Sequence, residues 1–262
     1  MHTISELIEA VKDFAPLSLQ EPWDNSGLQV GPTNCECTGV MLCVDVTPEV
    51  IDEAKDKRCN LIISHHPLLF KGLKQICPGS HLVQTCVYDA IRAGITVFSS
   101  HTALDSASQG ISRRMALMLG AAPIEPLEAS ADLTTGLGCV AQFDVPVNVD
   151  EFVERIKRAF GSPIVRCSAL RPSQPIRRIA LCGGSGGEFI HNAIAKWVDA
   201  YLTSDVRYHD FVDYGRRILI ADIGHFESEE CAKKIFYEII AGHFPDLSVE
   251  ESAAETNPIQ YL

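Results

Sequence analysis

Apolar residues along this chain alternate between short unbroken runs and runs in which they recur three and four apart. The unbroken runs read as buried strands, the spaced runs as amphipathic helices. "VMLCVDV" (40–46) is such a strand. "TPEVIDEAKDKR" follows as a helix, with Thr47 as N-cap, Pro48 at the first helical position and Glu49 in the first turn. "NLIIS" (60–64) is the next strand, and "HLVQTCVYDAIRAG" a helix closed by Gly94. "ITVFSS" (95–100) is a third strand, and "SASQGISRRMALMLG" a helix closed by Gly120. Strand and helix alternating at this spacing predict βαβ units and a mainly parallel sheet.

The pattern lapses over "GAAPIEPLEASADLTTGLG" (120–138), where prolines, small residues and glycine suggest a crossing between domains. A second set then begins. "CVAQFDV", "PIVRCSAL", "RRIALCG" and "ILIADIG" (218–224) read as strands. "NVDEFVERIKRAFG" and "SGGEFIHNAIAKWVDA" read as helices, the latter capped by Ser185. "HFESEECAKKIFYEIIAGHF" reads as one long helix with acids in its first turn and lysines beyond, the order the macrodipole prefers. The two halves are alike in kind, but no sequence repeat joins them.

Three of these strands end in groups that bind metal or move protons. In open α/β sheets, sites gather outside the carboxyl ends of strands. "NLIIS" runs into His65 and His66, "ITVFSS" into "HTALD" with His101 and Asp105, and "ILIADIG" into "HFESE" with His225 and Glu229. The chain has nine histidines, so these ends take four of them. His101 and Asp105 are four apart, as are His225 and Glu229, which puts each pair on one face where the segment turns helical. Mixed nitrogen and oxygen donors of this kind suit Zn, Fe, Mn or Ni. Six candidates exceed what one tetrahedral ion needs and suit two ions close together. A metal-free acid–base site is the competing reading, though it has no need of so many imidazoles.

Two weaker stretches stand beside these. "CGGSGG" (182–187) follows a strand and opens a helix, so the N–H groups of Gly183, Gly184, Ser185 and Gly186 are candidates for cradling an anion. Its spacing is neither that of a dinucleotide fingerprint nor of a P-loop, and a tight turn is the plainer reading. "TSDVRYHD" (203–210) contributes Asp205, His209 and Asp210, with an ordinary polar loop as the alternative.

Composition narrows the field. With 262 residues, 46% hydrophobic and 21% charged, the chain can bury a sizeable core. A net charge of −12 sits poorly with a broad grip on nucleic acid. No apolar run approaches the roughly 18 residues of a membrane span. The start, "MHTISELIEAVKDF", is an amphipathic helix pattern, not a signal peptide. The ten cysteines are scattered without a C-x-x-C pair, and several sit in apolar runs as small hydrophobes. Reduced thiols in a cytoplasmic protein are the expectation.

With those residues placed, the sequence resembles the Nif-three-like dinuclear metal centre family, also known as GTP cyclohydrolase I type 2 homologs. The segments that carry the resemblance are "PWDNSGLQVG" (22–31), "DVTPEVIDEA" (45–54), "SHHPLLF" (64–70), "HTALD" (101–105), "CGGSGG", "TSDVRYHD", "DIGHFESE" (222–229) and "NPIQYL". One departure is Ala103, where the family commonly has Asn. The resemblance implies two interlinked α/β domains, each a mainly parallel or mixed sheet flanked by helices, with the metal site in the cleft between them. They would comprise 1–125 with 228–262, and 126–227. It implies two divalent ions per chain, held by His65, His66, Asp105, His225 and Glu229, with His101 also at the site. It further implies a toroidal homohexamer. Many relatives carry an inserted mid-chain domain for which this chain is too short; 170–178 is where it would sit.

The resulting expectation is a metal-dependent hydrolase acting on a nucleotide, GTP opened at the guanine imidazole ring with release of formate. His101 and His209 would move protons, and the glycine-rich loop would face phosphates. A phosphoesterase is a nearby version. A metal-handling or regulatory binding protein without turnover is the alternative of another class.

Overall fold

The computed structural model describes residues 2–169 and 174–261. Residues 170–173, which open the segment where the insertion would sit, lie outside the described residues. The chain divides into two compact units. One comprises Met1–Ala107 with Ala232–Thr256, the other Ser108–Cys231 with Asn257–Leu262.

The first unit opens with α1 (Ile4–Phe14), whose capping box at Thr3 and Glu6 satisfies the first turn. Its strands are β1 (Gly27–Val30), β2 (Val40–Cys43), β3 (Leu61–Ser64) and β4 (Thr96–Ser99). Helix α2 (Pro48–Asp56) follows β2, α3 (Leu82–Ala93) precedes β4, and α4 (Thr102–Ser106) follows it. Thr47 caps α2 by accepting from the Val50 N–H, and Gly94 ends α3 at φ +68°, a conformation that favours glycine. β2, β3 and β4 run parallel and are buried at every residue, as strands covered on both faces must be. β1 joins the edge of β4 antiparallel. The core gathers Met41, Ile51, Ile62, Val87 and Val97.

The second unit begins with α5 (Ile111–Met118). Its strands are β5 (Ala122–Glu125), the β6 (Glu128–Ala129) and β7 (Gly136–Leu137) hairpin, β8 (Cys139–Val147), β9 (Arg166–Cys167), β10 (Ile176–Ser185), β11 (Ala200–Ser204) and β12 (Leu219–Asp222). β10, β11 and β12 are parallel, while β5, β8 and β9 pair antiparallel, so the sheet is mixed. Helix α6 (Val149–Phe160) lies between β8 and β9, α7 (Ile190–Ala195) between β10 and β11, α8 (Tyr208–Tyr214) between β11 and β12, and α9 (His225–Glu229) after β12. Val140, Ala180, Ile190, Tyr201 and Ile220 form its core. The chain returns to the first unit in α10 (Cys231–His243) and ends its sheet with β13 (Val249–Glu251), parallel to β2.

Several details differ from the pattern. Ser185 does not cap a helix: it ends β10, and α7 starts at Ile190. That helix stops at Ala195, just before Trp197 takes a left-handed φ of +55°. Among the described residues of "PIVRCSAL", two form β9. The long helix from His225 is broken at Glu230 into α9 and α10. No helix of the described residues is long and apolar enough to cross a membrane.

Candidate metal centre

Strand register assembles the first donor set. β3 and β4 are neighbours with Ser64 opposite Ser99, so both strands leave the sheet at the same edge. His65 and His66 follow one strand immediately, and His101 follows the other two residues on. The Ser64 and Ser99 hydroxyls, 2.7 Å apart, tie the two strand ends together. One ring nitrogen from each of His65, His66 and His101 lies within 4.8 Å of the others. His65 is fully buried, while His66 and His101 are partly exposed. Asp105, on the single turn of α4, sets its Oδ1 3.8 Å from His65 Nε2.

The second unit carries the other pair. β12 ends at Asp222, whose Oδ1 accepts from the Gly224 N–H and shapes the turn into α9. Gly224 has φ +92°, a backbone that side chains rarely adopt. His225 and Glu229 then sit one helical turn apart, with Nε2 3.0 Å from Oε2. Glu229 is buried at 2% exposure. β10 packs so tightly beside it that a Cβ on Gly184 would collide with Glu229 Oε1.

What makes these imidazoles ligands in waiting is the other side of each ring. His65 Nδ1 meets the Ser100 carbonyl at 3.0 Å, and a carbonyl can only accept. His66 Nδ1 meets Asp45 Oδ1 at 2.9 Å, His101 Nδ1 meets Asp24 Oδ1 at 2.8 Å, and His225 Nδ1 meets Asp205 Oδ2 at 2.7 Å. Each acceptor places the proton on Nδ1, and the neutral ring then offers its lone pair at Nε2. This pairing of imidazole with an oxygen partner is the usual support of a metal-bound histidine. Asp24 is well suited to it. Burial alone would raise its carboxyl, but hydrogen bonds from His101, Thr102 and Ser26 hold it well below the usual range. It is therefore ionised at neutral pH.

His225 lies between two carboxylates, Asp205 and Glu229. Carboxylates on both sides of the ring favour a cation beside it. The three clustered imidazoles of the first unit, and the imidazole–carboxylate pair on one helical turn of the second, are each donors of the nitrogen and oxygen kind that suits a borderline divalent ion.

The remaining expected residues belong to the second unit. His209 is exposed on the first turn of α8, its ring 5.4 Å from that of Tyr208. Asp210 is buried and paired to Arg207. The glycine-rich stretch behaves differently from an anion cradle. The Gly183 N–H donates to Ser112 and the Gly184 N–H to Ser228, so two of its four amides are engaged within the fold. Ser185 borders a pocket of about 290 Å³ with Glu188, Asp205, Arg207 and Asp210, three carboxylates to one guanidinium. Such a lining suits a cation better than a phosphate. The glycines serve close packing instead, Gly183 against Ile111, Gly184 against Glu229, and Gly186 against Thr203 and Tyr201.

Sequence reasoning gave no role to Asp24 or Asp45 and read Asp205 only within a polar loop. Each lies 20 to 77 positions from the histidine it orients, so no local spacing announces it. The one local trace is Asp205's left-handed φ of +53°, visible only in the structure.

The sequence model of the Duf34/NIF3 (NGG1p interacting factor 3) family matches residues 2–258. A Clostridium acetobutylicum protein named "GTP cyclohydrolase 1 type 2 homolog" is 34% identical over 229 residues, covering 86% of this chain and 85% of that one. A Lactococcus lactis protein of the same name is 33% identical over 260 residues, covering 97% and 98%. A crystal structure of a Staphylococcus aureus protein superposes with a TM-score of 0.91 at 27% identity, covering 100% of this chain and 99% of that one. A Bacillus cereus protein related to NIF3 shares the fold at a TM-score of 0.90 and 21% identity, with 100% and 99% covered. The match along nearly the whole sequence shows that the chain belongs to the Duf34/NIF3 family.

Proposed function

We propose that this chain is a divalent-metal protein that holds two ions and hydrolyses a nucleotide. The observation that carries the reading is the set of four strand-end imidazoles, each with Nδ1 fixed on an oxygen and Nε2 turned to the donor side. His65, His66 and His101, with Asp105, hold one ion. His225 and Glu229 supply donors to the second. Divalent ions bound there would supply Lewis acidity toward water and toward the oxygen or nitrogen atoms attached to the electrophilic carbon or phosphorus.

The chain's own groups do the rest. Asp24, Asp45, Asp205 and the Ser100 carbonyl keep the rings in one tautomer and one orientation, so no reorganisation is needed when charge develops. Asp105 and Glu229 are carboxylates able to take a proton from water beside the imidazoles. His209, exposed on α8, can exchange protons with solvent. The substrate class comes from the name shared by the curated relatives: GTP, opened by water at the guanine imidazole ring and losing formate to a second water. A homohexameric ring and a cytoplasmic location belong to the same reading; the ring rests on the family resemblance and the location on the scattered, unpaired cysteines.

Metal-loaded protein should release formate from GTP, and His66→Ala should lower that release at least a hundredfold. Formate no higher than the variant's background contradicts the GTP assignment. Phosphate release without formate transfers the reading to a phosphoesterase.

A further inference from the structure

Two large aromatic rings stand in water beside the histidine trio. Trp23 is 58% exposed and Phe70 48% exposed. Their centroids are 6.0 Å apart with planes at 55°, which makes a corner, since a slot would need parallel walls. His101 closes the corner. Its ring lies 6.0 Å from Trp23 and 6.3 Å from Phe70, close to perpendicular to both. The same His101 ring is 5.2 Å from His65 and 5.4 Å from His66. The aromatic corner and the imidazole trio therefore share a wall.

Hydrogen bonds tie down the segments that carry the two rings. Asn25 Nδ2 donates to the Leu69 carbonyl at 2.7 Å, and the Leu69 N–H donates to Gln29 Oε1 at 3.0 Å. These bonds tie the loop that carries Trp23 to the loop that carries Phe70. Asp24, next to Trp23, is anchored by His101, Thr102 and Ser26, and the Glu21 N–H is held by Thr102 Oγ1. Two rings whose burial is ordinarily favourable are thus fixed where water reaches them. A single exposed aromatic needs no explanation, but a rigid pair sharing a wall with candidate ligands does.

We infer that Trp23 and Phe70 form a stacking subsite for a planar heteroaromatic ring, which they hold with one edge directed past His101 toward the imidazole trio. The inference rests on the reading of that trio as the reacting centre. It names the part of the substrate that this unit recognises: the flat ring rather than sugar or phosphate. Stacking of a base on an aromatic side chain typically contributes enough to change affinity several-fold to a hundredfold.

The chain has two tryptophans, and Trp197 is 89% exposed and belongs to the other unit. Metal-loaded Trp197→Phe protein therefore reports on Trp23 alone. Guanosine monophosphate should quench its emission saturably, and ribose 5-phosphate, which lacks the base, should not. Phe70→Ala in the same background should raise the half-saturating concentration at least five-fold. An equal response to both probes, no response to either, or an unchanged Phe70→Ala titration overturns the inference. So does emission that follows dilution of the assembly and ignores the nucleotide, which would mean that a second copy covers the corner. Metal content measured in each sample separates the two proposals. Full metal without base-dependent quenching sinks the stacking subsite alone, and base-dependent quenching by protein that takes up no metal sinks the metal reading alone.

Discussion

At the scale of single residues, the site depends on what stands behind each imidazole. Asp45 touches His66 at Nδ1, leaving the donor nitrogen Nε2 to the metal side. Asp45→Ala should therefore leave the fold standing and weaken metal affinity about 10–100-fold, as loss of such outer partners generally does. Competition with a chelator of known affinity measures this; affinity unchanged in the variant would remove Asp45 from the account. Gly184 is sensitive for a different reason. At φ +62°, with Glu229 Oε1 where a Cβ would go, Gly184→Ala combines backbone strain with displacement of a buried carboxylate. Chemical denaturation should show a loss of about 2–4 kcal/mol. The same glycine reads in sequence as part of an anion loop, because a glycine needed for close approach to a carboxylate looks, in one dimension, like a glycine needed for phosphate.

Elements place these residues by register, and register explains what was legible. Unbroken apolar runs such as "LIIS" and "TVFS" are readable because strands buried on both faces admit few polar positions. The residues that follow them, His65, His66 and His101, stand out for the same reason. Edge strands carry no such signal: β1 is buried only at its two ends, and β13 is never fully buried. The break between α9 and α10 leaves the helical spacing of the sequence intact, so it too is silent.

The segment 252–255 shows how far an element's support can reach. Glu53 on α2 accepts from the Ser252 hydroxyl and the Ala253 and Ala254 N–H groups. Glu255 in turn accepts from the Val44 and Asp45 N–H groups, holding the turn that carries His66's partner. Burial would raise the Glu53 carboxyl, yet the Ser252 hydroxyl, the two amides and Lys57 bring it down to about 2. A depressed carboxyl contributes stability that is present above its unfolded value, near 4.5, and is lost as pH falls through the folded value. Wild type should exceed Glu53→Gln in stability by on the order of 2–3 kcal/mol at pH 7, with the gap closing between about pH 4.5 and about pH 2. A gap that stays constant over that range would show that Glu53 keeps its ordinary titration.

For the whole molecule, each unit brings its own donors on its own sheet edge, and the proposal of two ions draws on both sets. The α/β alternation and the family were legible because the strand-end motifs occur in one order along nearly the full chain. The reacting partner was less so, since donors specify a metal's chemistry before they specify a substrate. Metal content tests the central claim most directly. Protein equilibrated with excess divalent ion and then freed of unbound metal should hold two ions per chain by elemental analysis. His66→Ala and Glu229→Gln should each hold fewer. A wild-type chain that retains fewer than two ions after such loading, or variants that retain as many as wild type, would contradict the account.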